Sequence, residues 1–186
     1  MKRFFDLALA VIATGILFFP MLVVGSAVAL TSSGPVLYWS DRVGKNNVLF
    51  KMPKFRTMHV GTPALATHLM DNPQSFLTPI GGFLRKTSLD ELPQLWCILT
   101  GTMSFVGPRP ALFNQYDLVS LRTACGVDKL LPGLTGWAQV NGRDELPIKT
   151  KTEFDLAYLK RRSLSFDAYI LWLTFLKVVT RVGVAH

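Results

Sequence analysis

In the stretch RKTSLDELPQLW, residues 85 to 96, two carboxylates, Asp90 and Glu91, stand side by side just after the cations Arg85 and Lys86. Such a pair raises the question of what keeps it ionised there and whether the same surroundings also attract a phosphate. A purely structural reading also exists, because Ser88-Leu89-Asp90-Glu91 fits the S-x-x-E box that opens many helices. Pro93 bears on the register. Proline is tolerated in the first helical turn, where no N–H is needed, so a cap at or near Asp90 suits it better than one at Ser88. Asp90 then lies at the mouth of the helix with Glu91 one step inside. The helix end, Arg85 and Lys86 together favour anions there, whether carboxylate or phosphate.

Two further segments offer cations. GTMSFVGPRP, residues 101 to 110, holds Arg109 between prolines that fix the backbone, and a guanidinium set this way suits bidentate binding of phosphate or carboxylate. A structural salt bridge is the equal alternative. PGLTGWAQVNGR, residues 132 to 143, places three glycines and a proline around Trp137 and ends in Arg143. Its turns and second cation suit a phosphate or nucleotide lining, while Trp137 also reads as a core or interface residue.

The elements that must position these groups belong to a basic, apolar chain. Its 186 residues carry 20 Lys and Arg against 12 Asp and Glu, net +8, with 49% hydrophobic residues. That combination points to a membrane surface or a phosphate ligand before nucleic acid. Two cysteines, Cys97 and Cys125, support neither a disulfide framework nor a thiolate metal site, and His59, His68 and His186 lack metal-ligand spacing.

From residue 7 to residue 30 no side chain is charged, a run of 24 residues against the ~20 that cross a hydrocarbon core. Three readings compete. A cleaved signal peptide has its n-region in Lys2 and Arg3 and a small-residue site at Ala27-Val28-Ala29, but its apolar region normally runs only ~7–15 residues. A single span gives no orientation, because cations flank both ends. A helix bent at Pro20 that enters and leaves by one face resolves that conflict.

Beyond it, VLYW and VLFKMPKFRTM read as strands joined by a turn at Gly44-Lys45-Asn46-Asn47, a small hairpin. Residues 61 to 80 are loop-like, with prolines at 63, 73 and 79, and IGGFLRK is a short helix or turn. TEFDLAYLKRR predicts an amphipathic helix with a basic end. DAYILWLTFLKVVTR, from Asp167, predicts an apolar helix too short to span, lying at the interface with Trp172 and residues 160–162 at headgroup depth, or packed on the sheet.

KRFFDLALA with its following proline, FKMPKFRTM, SLDELPQLW, GTMSFVGPRP and PGLTGWAQVNGR together resemble the bacterial sugar transferase family, the monotopic phosphoglycosyl transferases that act on polyprenyl phosphate. The likeness covers essentially the whole chain. In length it resembles the small, minimal form that includes the Campylobacter enzyme initiating protein N-glycosylation. The resemblance implies an α/β fold: a compact catalytic domain with a hairpin or small sheet and amphipathic interfacial helices over residues 34–186. It also implies a re-entrant membrane helix over residues 1–33, kinked at Pro20. Members often carry Ser-Pro at the kink where this chain has Phe19-Pro20.

The implied reaction moves a sugar 1-phosphate from a UDP-sugar, with an N-acetylated amino sugar as one candidate, to undecaprenyl phosphate, releasing UMP. It would take place at the cytoplasmic face of the bacterial inner membrane and start glycan assembly. Asp90 matches the family nucleophile that forms a covalent phosphosugar intermediate. Glu91 matches its partner, acting through Mg2+ or proton handling, and both carboxylates would hold the Mg2+. Arg85, Arg109, Arg143 and Lys54 match phosphate- or nucleotide-binding positions, and Asp155 and Asp167 further polar ones, although Asp155 can equally pair with Lys151 at helical spacing. The rival from another class is a secreted phosphate-binding protein with a cleaved signal peptide. A second rival keeps the fold but hydrolyses nucleotide sugars.

Overall fold

The computed structural model describes residues 1–63, 72–142 and 146–180. The expected hairpin is present. Strands β1 (Leu37–Val43) and β2 (Leu49–Phe55) pair antiparallel, from Leu37 opposite Phe55 to Val43 opposite Leu49. Between them one 3-10 turn, Lys45–Asn47, carries Asn46 and Asn47 at φ 55 and 60, a left-handed conformation that asparagine tolerates better than most residues. Pro53 lies in β2, an edge strand of the three-stranded sheet, where a missing donor is harmless.

A second, two-stranded parallel sheet joins β3 (Ser104–Val106) to β5 (Gly133–Thr135), and β4 (Ala111–Leu112) completes the first sheet on the free edge of β1. Residues 107–110, which include Arg109, therefore link the two sheets. Here the glycines of the sequence find their use. A Cβ on Gly107 would strike the Leu131 carbonyl, and one on Gly133 or Gly136 would strike the backbone of Gly107. Bare backbone on both sides lets the segments touch, joined by Gly107 N–H to the Thr135 carbonyl and Gly133 N–H to the Pro108 carbonyl, each at 2.9 Å.

Helices α2 (Gly81–Thr87), α3 (Leu95–Thr100), α4 (Tyr116–Ala124), α5 (Trp137–Val140), α6 (Ile148–Arg161) and α7 (Leu164–Thr180) surround this small sheet system, so the fold is mixed α/β as expected. Both carboxy-terminal helices begin earlier than their sequence suggests. The α6 helix starts just after Pro147 rather than at Thr152, and α7 starts three residues before Asp167. The core gathers Ile98, Met103, Phe105, Tyr158 and Ile170. Trp172 and Phe175 of α7 stay exposed and stack at 5.9 Å. Arg161, which is exposed, lies over the Phe166 ring, 4.4 Å from its centroid. Of the expected loop, residues 64–71 lie outside the described residues, and Pro73–Phe76 form a 3-10 turn.

A single apolar helix, α1 (Lys2–Thr31), precedes all this and is long enough to cross a membrane. It is unbroken through Pro20. Asp6, Ala10, Val24 and Val28 are buried on the body, with Leu9, Ala13, Leu17 and Met21 packed beside them, so the contact stripe follows the three-to-four spacing of one helix face. Val11, Ile12, Ile16, Phe19, Leu22 and Val23 remain exposed and apolar, a face suited to lipid.

Both ends of α1 are tied to the same body. At the start, Lys2 Nζ meets Asp167 Oδ2 at 2.6 Å, and the Arg3 guanidinium donates to the carbonyls of Ile98 and Leu99. Asp6, 1% exposed, accepts the Ser104 hydroxyl at 2.8 Å and the Phe105 N–H at 3.2 Å. At the far end, buried Arg56 donates to the carbonyls of Ser32 and Ser33.

Candidate active site

The dyad sits in a 3-10 helix, Leu89–Gln94, that opens into α3. This corrects the expected cap at Asp90. Ser88 holds the cap position in a left-handed conformation, φ 57, and its side chain makes no capping bond, so the S-x-x-E box does not form either. The serine backbone serves both neighbours: its N–H closes α2 on the Arg85 carbonyl, and its carbonyl accepts the Glu91 N–H at 3.2 Å. Pro93 has no N–H to give, and the chain around it takes the tighter 3-10 winding.

Three sequence candidates meet around that turn. Lys54, on β2, places Nζ 2.7 Å from Glu91 Oε1 and 3.6 Å from Asp90 Oδ2. Arg109 brings Nη2 to 2.9 Å from the same Glu91 oxygen. Arg85, at the end of α2, donates from Nε to the Thr57 hydroxyl at 3.0 Å, and its charge acts on Asp90. Arg143 falls outside the described residues.

The two carboxylates live in opposite environments. Burial pushes the Asp90 carboxyl above its usual range and the Glu91 charge adds to this, against the pull of Lys54, Arg85 and Arg109. For Glu91 burial acts the same way, but Arg109 and Lys54 outweigh it and hold the group ionised well below the usual carboxylate range. Burial also lowers the Arg85 guanidinium, partly offset by Asp90. Glu91 is thus clamped by two cations, whereas Asp90 has Lys54 at a looser distance and accepts no hydrogen bond from a described side chain.

Arg109 is itself held from behind. Arg122, on α4, donates from Nη1 to the Arg109 carbonyl at 2.8 Å, while its Nε and Nη2 reach Asp155 Oδ2 at 2.9 and 2.6 Å. Asp155 is therefore engaged by Arg122 across 33 residues, with Lys151 adding only its field. Asp167 faces α1 instead: it receives Lys2 and, at 2.7 Å, the hydroxyl of Tyr158, whose phenol is pushed far up by burial and by this carboxylate. Trp137 joins an aromatic cluster, 5.1 Å from Phe166 and 6.3 Å from Phe154, the core role that its residue type suggested. Sequence reasoning missed Arg122, Arg56, Tyr158 and Asp6. Of these, Asp6 left a trace, a charge at the edge of an apolar run.

Among the described residues no three His, Cys, Asp or Glu side chains gather as a metal centre. Mg2+ does not need three. It takes one or two carboxylates and completes its shell with substrate phosphates and water, so Asp90 with Glu91 fits it.

Comparison with known proteins places the chain in a family. The family described as Bacterial sugar transferase matches residues 1–181. The UDP-glucose:undecaprenyl-phosphate glucose-1-phosphate transferase of Escherichia coli (strain K12) is 38% identical over 95% of this chain and 40% of its own length. The UDP-galactose-lipid carrier transferase of Erwinia amylovora is 37% identical over 98% of this chain and 41% of its own length. The uncharacterized sugar transferase EpsL of Bacillus subtilis (strain 168) is 36% identical over 99% of this chain and 90% of its own length. This chain thus spans about two fifths of the first two relatives and nearly all of the third. It belongs to the bacterial sugar transferase family.

Proposed function

We propose that this protein transfers a sugar 1-phosphate from a UDP-sugar to undecaprenyl phosphate, releasing UMP, at the cytoplasmic face of a bacterial membrane, as the first membrane step of glycan assembly. The observation that carries the reading is the unequal dyad: an ionised Glu91 clamped by Lys54 and Arg109, next to an Asp90 carboxylate free of hydrogen-bond donors from described side chains. The Escherichia coli relative's name states the same transfer for glucose, and the Erwinia relative's names UDP-galactose and a lipid carrier.

An Asp90 oxygen attacks the β-phosphorus, the one bearing the sugar, and the bond from that phosphorus to the UMP oxygen breaks, so UMP leaves with the electron pair. A phosphate oxygen of undecaprenyl phosphate then attacks the same phosphorus, and the Asp90 carboxylate is regenerated. No proton moves in the sum. Glu91 is therefore not required as an acid or a base. Its part is to hold Lys54 and Arg109 where two polyanions must meet, and with Arg85 the site carries three cations against two carboxylates. Mg2+ held by Asp90 and Glu91 would screen the charge gathered on the diphosphate. Arg143 adds a further cation to the phosphate lining on the strength of the family pattern.

Residues 1–33 enter and leave the bilayer by one face, bending at Pro20 on insertion. The attachment of Lys2, Arg3 and Asp6 at one end, and of Ser32 and Ser33 at the other, to one body supports this. The same packing speaks against a cleaved signal peptide, since loss of α1 would strip Ala10 and Val28 from the core. The sugar is an N-acetylated amino sugar if the likeness to the small form of the family extends to specificity. A hexose is the second reading, favoured by the relatives' names.

The test is UMP release by the protein in lipid nanodiscs, over a panel of UDP-hexoses and UDP-N-acetylated sugars, with and without undecaprenyl phosphate. Turnover beyond one UMP per protein is expected only with the lipid phosphate. Continued turnover without it would establish hydrolysis instead.

A further inference from the structure

In the β1–β2 hairpin Tyr38 stands directly opposite Lys54. Opposed residues of an antiparallel pair share one face of the sheet, with their Cβ atoms about 4.5–5.5 Å apart. Tyr38 therefore projects on the face from which Lys54 reaches Glu91 at 2.7 Å and Asp90 at 3.6 Å. Further along that face the side chains are covered or engaged: Ser40 and Met52 are buried, and Arg42 donates to the Ser40 hydroxyl and to the Pro110 carbonyl. Tyr38 ends the row open. It is 47% exposed, and among the described residues its ring meets no other ring and its phenol has no hydrogen-bond partner. Trp39, next in the chain and similarly exposed, lies on the other face, opposite Pro53.

Strand propensity alone accounts for an aromatic residue at either position. What separates Tyr38 from Trp39 is the company of Lys54 and the dyad. A tyrosine presents an apolar ring face and a hydroxyl at its tip. A pyranose offers the matching surfaces, C–H groups on its faces and hydroxyls around its rim. The order of groups along the donor then decides which ring arrives. The phosphorus that Asp90 attacks carries the sugar through one oxygen, whereas ribose and uracil lie beyond the second phosphate. The sugar is thus the donor ring nearest to Asp90, and Tyr38 shares its sheet face with the cation beside Asp90. Lys54 and Arg109 suit the phosphates, and Tyr38 suits the uncharged part of the same molecule.

We propose that the Tyr38 ring forms one wall of the sugar subsite, lying against a C–H face of the transferred sugar with its phenol within reach of a sugar hydroxyl. The inference rests on the transferase reading above. Tyr38 is then a binding residue for the sugar of the donor and takes no part in bond making.

The experiment uses the full chain in nanodiscs with undecaprenyl phosphate, varying the UDP-sugar and adding UDP as a competitor that lacks the sugar. A wild type inactive with every UDP-sugar would sink the transferase reading and this inference with it. With an active wild type, Tyr38→Thr, which keeps a strand-forming residue, is expected to lower kcat/KM for the UDP-sugar about fivefold or more. Tyr38→Leu carries the test if the threonine variant does not fold. Tyr38→Phe keeps the ring and should stay within about threefold of the wild type. Inhibition by UDP and kcat/KM for undecaprenyl phosphate should both change by less than about twofold. Trp39→Thr should leave all three as in the wild type. An equal weakening of UDP inhibition would place Tyr38 on the nucleotide, and a loss confined to undecaprenyl phosphate would place it on the lipid. Either result overturns the proposal, as does an unchanged Tyr38→Thr or a Trp39→Thr of equal effect.

Discussion

One oxygen of Glu91, Oε1, receives both Lys54 Nζ at 2.7 Å and Arg109 Nη2 at 2.9 Å, and so ties the hairpin to the loop between the sheets. Its removal tests whether that clamp matters. Glu91→Gln offers a neutral amide to two cations that then repel each other. Breaking a fully buried pair costs ~3–5 kcal/mol, and partial exposure here reduces this to about 1–3 kcal/mol. Chemical denaturation should show that loss, and UMP release should fall about a hundredfold or more at saturating UDP-sugar. Near-normal activity would remove Glu91 from the site.

Arg122 and Asp155 form the better buried pair, with side chains 9% and 2% exposed. Asp155→Asn leaves the guanidinium without its counter-charge and should cost about 3–5 kcal/mol in unfolding free energy. Arg122→Lys should not rescue function, because one ammonium cannot fork to Asp155 and also hold the Arg109 carbonyl. A lysine variant with wild-type KM for UDP-sugar would show that the loop stands without this support.

The pH dependence has a definite sign. Glu91 stays ionised well below the usual carboxylate range, so the acid limb of kcat/KM belongs to Asp90, which must be ionised to attack. Burial places that limb above the usual aspartate range, and Lys54 holds it down. Lys54→Met should therefore move the acid limb to higher pH at fixed Mg2+, besides lowering the rate. A limb that stays put or moves down would deny the Lys54–Asp90 coupling.

How far the sequence carried this account depended on the range of each interaction. The hairpin was legible because Gly44, Asn46 and Asn47 announce a turn between two β-rich runs, and the dyad because its residues are contiguous. The helix start was misplaced because no local pattern reveals that Ser88 adopts φ 57 and caps with its backbone alone. Arg122 was missed for a different reason. Its partner is 33 residues away, and a lone arginine in a short helix looks like a solvated charge until the fold buries it. For α1, composition showed an apolar helix but not that one stripe of it completes the core.

Topology can be read from the protein's own thiols, since Cys125 is exposed and Cys97 buried. With both ends of α1 fastened to the body, a cysteine added at the amino terminus should label from the same side of the membrane as Cys125. Thiol labelling in sealed vesicles of known orientation decides it. Labelling of the two from opposite sides would make α1 a full span.

The central claim is that Asp90 is the nucleophile, and trapping its adduct tests it most directly. The protein incubated with Mg2+ and UDP-sugar, without lipid phosphate, should gain one phosphosugar mass on the peptide containing Asp90. Adding undecaprenyl phosphate should discharge it, and Asp90→Asn should neither gain the mass nor release UMP while folding normally. A fully active wild type with no adduct, or an active Asp90→Asn, would contradict the account.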